Sequence, residues 1–458
     1  MNQDPNKDTR KKYRFLFITV LLLVLIAIIF AVLLALGVLR LGKNTREDPD
    51  TRDTAAPAAG TTEDTTAPAT ETAEGGRVDP KIIEHMAPAT EVPGLTITDE
   101  MLEKGILNEG NPSRLMGVME RAARGEEITI AYLGGSITAG SSASPQDKKC
   151  YAALSTVWWN DTFPEAKINY VNAGIGATDS WLGVHRVTDD VLSHAPDLVI
   201  VEYSVNDGQG WNKETYDSLL RVILESETRP AVISLLLAGE NYGFASEHAP
   251  VAFRYKIPII SYSALLSGKL VSWKSVGNSD GTHPDNPGHA LIARLLTEYY
   301  RRVLSGINET EDPGYTVPDL SESQTRCRYR NADLIFSDEL TPDTAEGFEA
   351  AKVTPILSSV KGWKTTSAGS ISFTVTTREI GIAWLQKSTD PDGICADYQL
   401  IIDGEPAMTL PGAATSWGPH PEYRSVLLDE TASHKIELRP AEGSTGTDFE
   451  ILALGIVR

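Results

Sequence analysis

One serine, one asparagine and one Asp-x-x-His pair carry the reactive chemistry of this sequence. Ser136 follows two glycines in "AYLGGSITAG" (131–140), Asn206 ends "VEYSVN" (201–206), and Asp280 and His283 sit in "SDGTHPDNPGH" (279–289). A serine hydroxyl is a weak nucleophile until a base within hydrogen-bond reach removes its proton. His283 is the candidate base, and Asp280, three residues earlier, can accept the other imidazole N–H and fix the tautomer. The oxyanion formed when an ester carbonyl is attacked needs preorganised donors, each worth ~2.7–4 kcal/mol of transition-state stabilisation. Asn206 can offer its side-chain amide; the backbone N–H groups of Ser136 and of the "GIGA" turn (174–177) can offer more. Alone, a serine after two glycines reads as a turn or cap. In this company it reads as a nucleophile for acyl transfer.

The elements around these residues explain how they can meet. Short apolar runs, "ITIAYLG" (128–134), "INYVNAG" (168–174), "DLVIVEYSV" (197–205), "AVISLLLAG" (231–239) and "IPIISYSAL" (257–265), alternate with helix-like segments at 112–124, 148–160, 181–193, 214–227 and 287–303. Strands apolar on both faces, alternating with helices, predict a parallel sheet covered on both sides. Sites in such sheets lie beyond the carboxyl ends of the strands. Ser136, the "NAGIGATDS" turn and Asn206 each follow such an end, and the Asp280–His283 loop precedes the last helix.

These four stretches resemble, in order, the Ser, Gly, Asn and Asp-x-x-His blocks of the SGNH hydrolases, the GDSL-type esterases: "GGSIT", "NAGIGATDS", "VEYSVND" and "DGTHP". The resemblance covers roughly residues 105–305. It implies a flavodoxin-like three-layer α/β domain with Ser136 as nucleophile, His283 as base, Asp280 as its orienter, and Asn206 with a Gly-block amide as oxyanion hole. Gly135 stands where the family usually has aspartate. Its usual Gly-block glycine falls on Ala177, with Gly176 just before it; Gly176 is favoured as donor because alanine tolerates fewer backbone angles. The resemblance implies neither a cofactor nor a metal.

The remaining polar and aromatic candidates read as structural. His289 has no carboxylate or cysteine at ligand spacing, and the three cysteines form neither a metal clip nor a disulfide framework. Asp207 is expected to order its loop and Trp158 and Trp159 to pack, whereas His185 and Arg186 are open between pocket and helix surface. "NYGF" (241–244) is a candidate wall of the acyl pocket.

Around this core the 458-residue chain changes composition. Residues 16–38 carry no charge and follow Lys7, Arg10, Lys11, Lys12 and Arg14. A run of this length crosses the ~30 Å apolar core of a bilayer, and the flanking charge keeps the N-terminus cytoplasmic. The expected organisation is a cytoplasmic tail (1–14), a transmembrane signal anchor (15–40), a disordered Thr/Ala/Pro/acidic linker (41–92), an extracellular catalytic domain (93–312) and a C-terminal antiparallel β-sandwich (313–458). Trp363, Trp384, Trp417, His420 and Tyr423 are candidates for a sugar-stacking face on that sandwich, which alternatively packs on the catalytic rim and narrows the cleft. A formal charge of −21 argues against a nucleic-acid partner, and the sequence carries no signal for oligomeric state. The expected protein is a cell-surface serine esterase acting on acylated, chiefly O-acetylated, polysaccharide. An O-acetyltransferase and a non-catalytic glycan-binding protein are the alternatives.

Overall fold

In the computed structural model, residues 76–458 are described apart from 388–389, 391–392 and 414–418; the expected cytoplasmic tail and anchor lie outside them. Among the described residues no helix is long and apolar enough to cross a membrane. The expected linker overlaps the described chain at 76–92, and there it is folded. Val78, Ala87 and Val92 are buried in the catalytic core, and Asn308 bonds both the N–H and the C=O of Val78. The apolar residues of "VDPKIIEHMAP" give this stretch surface to bury, which the Thr/Ala/Pro run before it lacks.

The catalytic sheet has six strands: β1 (Ile106–Asn108), β2 (Glu127–Gly134), β3 (Lys167–Gly174), β4 (Leu198–Glu202), β5 (Ala231–Leu236) and β6 (Ile259–Ser261), in the order 1-6-5-4-2-3. β2 to β6 are parallel, as expected, but β1 runs antiparallel to β6, so the sheet is mixed. Three residues of "KGILNEG" suffice for an edge strand, too few to leave a periodic signal. Along β2 the faces alternate: Ile128, Ile130 and Tyr132 join the core beneath α1 (Ser113–Ala123), α2 (Tyr151–Thr162) and α3 (Asn286–Gly306). Ala131 and Leu133 face α4 (Ser180–Asp190), α5 (Asn212–Glu225) and α6 (Ala245–Arg254). Trp158 and Trp159 pack in the first of these cores, as expected.

After residue 331 the chain forms a separate sheet: β7 (Ala332–Ile335), β8 (Thr344–Lys352), β9 (Lys361–Gln386), β10 (Tyr398–Ile402), β11 (Glu405–Leu410), β12 (His420–Pro440) and β13 (Glu450–Val457). The pairing is antiparallel except for β13 against β9. The Asp403–Gly404 turn between β10 and β11 has both residues at positive φ, the conformation that an Asp-Gly hairpin favours. Instead of two separate sheets, one hydrogen-bonded sheet curls round. Ile451 pairs with both Trp363 and Trp384 of β9, residues that would stand roughly 70 Å apart in a straight strand. The curled sheet encloses its own apolar core. Its outer side shares a second core with α4 and α5, through Leu334, Ala383, Leu385, Leu452 and Ala453.

Candidate active site

β2 ends at Gly134–Gly135 because the space beside it is taken. A Cβ on Gly134 would lie 2.5 Å from the Glu202 carbonyl oxygen, and one on Gly135 would lie 2.4 Å from Asn206 Oδ1. The Gly135 backbone is extended, so its lack of a side chain answers a steric demand and not a dihedral one. With Asn206 placed as it is, a side chain at 135 would meet the Asn206 amide.

Ser136 follows, largely buried, and the fold brings it to the Asp-x-x-His loop. Its Oγ lies 2.9 Å from His283 Nε2, and His283 Nδ1 lies 2.7 Å from Asp280 Oδ2. The loop holds this geometry itself. Asp280 Oδ1 accepts from the backbone N–H of Thr282 (2.8 Å) and His283 (2.9 Å), Gly281 takes a positive φ, and Asn278 N–H donates to the His283 carbonyl at 2.8 Å. Partial burial pushes the Asp280 carboxyl up, but the donors from His283 and Thr282 together outweigh it and the net shift is downward. Ionised Asp280 can only accept, so Nδ1 donates to it, and the neutral imidazole would turn a lone pair at Nε2 toward Ser136. "NYGF" braces this loop: Tyr242 donates to Thr282 Oγ1 at 2.6 Å.

The Gly-block turn and Asn206 lie on the other side of Ser136. Gly176 sits against the serine, its ideal Cβ position 3.8 Å from Ser136 Cβ. Ala177, not Gly176, adopts the left-handed conformation, at φ +61°, and lines the cleft with Asn206. The sequence preference for Gly176 rested on alanine's narrower range. The turn places alanine in that unfavourable region, a strain of roughly 1–2 kcal/mol, so the preference loses its basis.

Behind these loops lies a buried polar network that the spacing arguments missed, except for Asp207 as loop organiser. Asp207 Oδ1 accepts from Ser180 N–H at 2.8 Å and its Oδ2 lies 2.8 Å from His248 Nε2. Burial pushes the Asp207 carboxyl up and the His248 imidazole down, each away from its charged form. Asp179 caps α4 through the N–H groups of Trp181 and Leu182 and accepts from Asn212 Nδ2 at 2.8 Å; burial lifts it to about 6. Glu202, at the end of β4, is lifted to about 7 by burial, and Thr138, two residues after Ser136, donates to it at 3.4 Å. A carboxylate inside the otherwise uncharged run "LVIVEYSV" (198–205) was the available signal for Glu202.

The two open candidates are settled by burial. Arg186 is neither pocket nor surface: it donates to the carbonyls of Gly134 (3.2 Å) and Ala173 (2.7 Å), tying the ends of β2 and β3. His185 is buried 3.3 Å from Glu379 of the C-terminal sheet. His289 is structural, lying 3.0 Å from the Ser141 carbonyl. Among the described residues no group of His, Cys, Asp or Glu has metal-ligating geometry.

A cleft of about 730 Å³ opens beside Ala177 and Asn206 and runs between the two folds. Ala177, Asn206 and half-exposed Trp211 line one wall, and Glu422, Tyr423 and Arg424 of β12 the other. The expected stacking face is corrected here. Trp363 and Trp384 are wholly buried inside the curled sheet, where their rings fill its core, and Trp417 lies outside the described residues. His420 is buried, and Tyr423 stacks on Trp181 of the catalytic domain.

The sequence pattern of the GDSL-like Lipase/Acylhydrolase family matches residues 132–291. The thioesterase 1/protease 1/lysophospholipase L1 of Escherichia coli (strain K12) is 27% identical over 181 residues, covering 37% of this chain and 82% of that protein. A two-domain esterase active on acetylated mannans is 30% identical, with a TM-score of 0.70 over 78% of this chain and 98% of that one. The same kind of esterase co-crystallised with mannopentaose gives 31% identity and a TM-score of 0.68. The likeness thus spans both folds, and the chain belongs to the GDSL-like lipase/acylhydrolase family of ester hydrolases.

Proposed function

We propose that this esterase removes O-acetyl groups from a polysaccharide, with acetylated mannan the leading substrate, by a Ser136–His283–Asp280 mechanism. The carrying observation is the chain of contacts from Asp280 through His283 to Ser136, which sits against Gly176, whose neighbour Ala177 lines an open cleft. His283 Nε2 takes the Ser136 proton as Oγ attacks the acetyl carbonyl. The oxyanion is held by the Asn206 amide and by backbone N–H groups at Ser136 and Gly176 or Ala177. Collapse expels the sugar oxygen, which takes the proton from His283, and leaves Ser136 acetylated. Water, deprotonated by His283, then attacks the acetyl carbon, and collapse releases acetate as His283 returns the proton to Ser136 Oγ. Asp280 stays ionised throughout and stabilises the imidazolium. The mannan-active relative, similar across both domains, supports the substrate class. The uncharged run 16–38 behind five basic residues supports an enzyme anchored with its catalytic unit outside the membrane, a placement read out by protease shaving of intact cells.

The test is acetate release from acetylated glucomannan and turnover of 4-nitrophenyl acetate by the full chain and by Ser136→Ala. Loss of at least about 10³-fold in kcat on both is expected. Equal rates would sink the serine mechanism. Acetyl appearing on added sugar instead of as free acetate would assign a transferase.

A further inference from the structure

The contact between the two folds is built, residue by residue, around the oxyanion side of the site. Trp181, on the first turn of α4, plugs into the C-terminal sheet at Gly381 and Gly455, where a Cβ would lie 2.5 Å and 2.7 Å from the indole. The indole Nε1 donates to Glu379 Oε1 at 2.9 Å, in a wholly buried pocket. Tyr423 lies on the other side, stacked on Trp181 with ring centres 4.9 Å apart and planes 9° from parallel. Its hydroxyl accepts from the backbone N–H of Asp179 at 3.1 Å.

Asp179 lies two residues beyond Ala177, and its carboxylate reaches the loop that carries Asn206. Asn212 Nδ2 donates to Asp179 at 2.8 Å, while Asn212 Oδ1 accepts from the N–H groups of Gly208 (2.9 Å) and Gln209 (2.7 Å). The Asp179–Asn212 tie joins the two oxyanion loops beside the Asp207–Ser180 bond, and Tyr423 attaches its Asp179 end to the C-terminal sheet. The Ala177 conformation is one that alanine does not take unaided, so it needs surrounding structure to hold it.

We propose that the C-terminal sheet domain acts on the chemical step itself, with Tyr423 a positioning residue that fixes the Ala177–Asp179 turn and through it the oxyanion hole. This rests on the serine-esterase reading above. It goes beyond a glycan-gripping role, because the effect must appear with a substrate too small to reach the far wall of the cleft.

The test uses the full chain with 4-nitrophenyl acetate. Tyr423→Phe keeps the ring stacked on Trp181 and removes only the hydroxyl. It is expected to lower kcat about fivefold or more while KM stays within about twofold. In an Asn206→Ala background, where the hole is already impaired, the same substitution is expected to cost less than about twofold. An unchanged kcat in a folded Tyr423→Phe, or a loss that is the same with and without Asn206, overturns the proposal. If Tyr423→Phe fails to fold, Asp179→Asn supplies the second variant: it keeps the backbone N–H for Tyr423 while altering the tie to Asn212, and unchanged kcat there also overturns the proposal. Ser136→Ala separates the two ideas. Activity surviving in that variant defeats the serine mechanism, whereas its loss beside an unimpaired Tyr423→Phe defeats only the positioning role.

Discussion

Replacing Gly135 by alanine tests whether the space before the nucleophile is reserved for Asn206. An ideal Cβ there falls 2.4 Å from Asn206 Oδ1, and the next contacts are Asn206 Cγ at 3.3 Å and the Thr178 carbonyl at 3.4 Å. Reaching a normal carbon–oxygen separation requires the Asn206 amide to retreat by about 1 Å. The backbone at 135 is extended and open to alanine, so the perturbation is confined to that contact. A displacement of this size in a catalytic group costs about 10²-fold, and complete loss of one oxyanion donor corresponds to about 10²–10³-fold. Gly135→Ala is therefore expected to lower kcat for 4-nitrophenyl acetate by about 10²-fold with little change in KM. The decisive arm is the double variant: with Asn206→Ala the offending oxygen is gone, and Gly135→Ala should add less than about twofold to the loss. Multiplicative losses in the double variant, or near-normal activity of the single one, would refute the steric account.

Two further outcomes follow from the buried groups. Folded Glu202 keeps its proton up to about pH 7, whereas an unfolded glutamate loses it near 4.5; the folded state binds the extra proton between those values, so stability is full below 4.5 and falls as pH rises through 7. The loss is roughly 3 kcal/mol, so urea midpoints of Glu202→Gln should gain on the parent from pH 5 to 8, and parallel curves would contradict the assignment. Gly381→Ala would drive a methyl to within 2.5 Å of the enclosed Trp181 ring, and overpacking of this kind costs about 1–3 kcal/mol. Its thermal midpoint should fall by several degrees; an unshifted melt would mean that the fit between the folds is looser than the contacts imply.

The reactive residues and the elements that carry them were legible in the sequence because both have local signatures. Strands apolar on both faces announce a covered parallel sheet, and polar residues at their carboxyl ends mark the rim, so Ser136, Asn206, Asp280 and His283 could be singled out in sequence order. The Asp280-to-His283 spacing is local too, since backbone and side-chain bonds within four residues build that turn. Other features depended on which distant surfaces meet. Trp363, Trp384 and Tyr423 are all aromatics on alternating strands, yet two fill a core and one faces the catalytic domain; only the curl of β9 decides between them. A side chain at Gly135 would meet Asn206, seventy-one residues later, a contact that no local pattern announces. The sequence by itself determined the candidate reactive set and the parallel strands that present it, because candidate nucleophile, candidate base and strand pattern are properties of residue type and short spacing. Tertiary structure alone decided that the C-terminal sheet forms a wall of the cleft and bonds the Ala177–Asp179 turn. Glu379, Gly381, Tyr423 and Gly455 acquire that role only against Trp181 and Asp179, and complementarity between surfaces so far apart in the chain leaves no periodicity in either stretch.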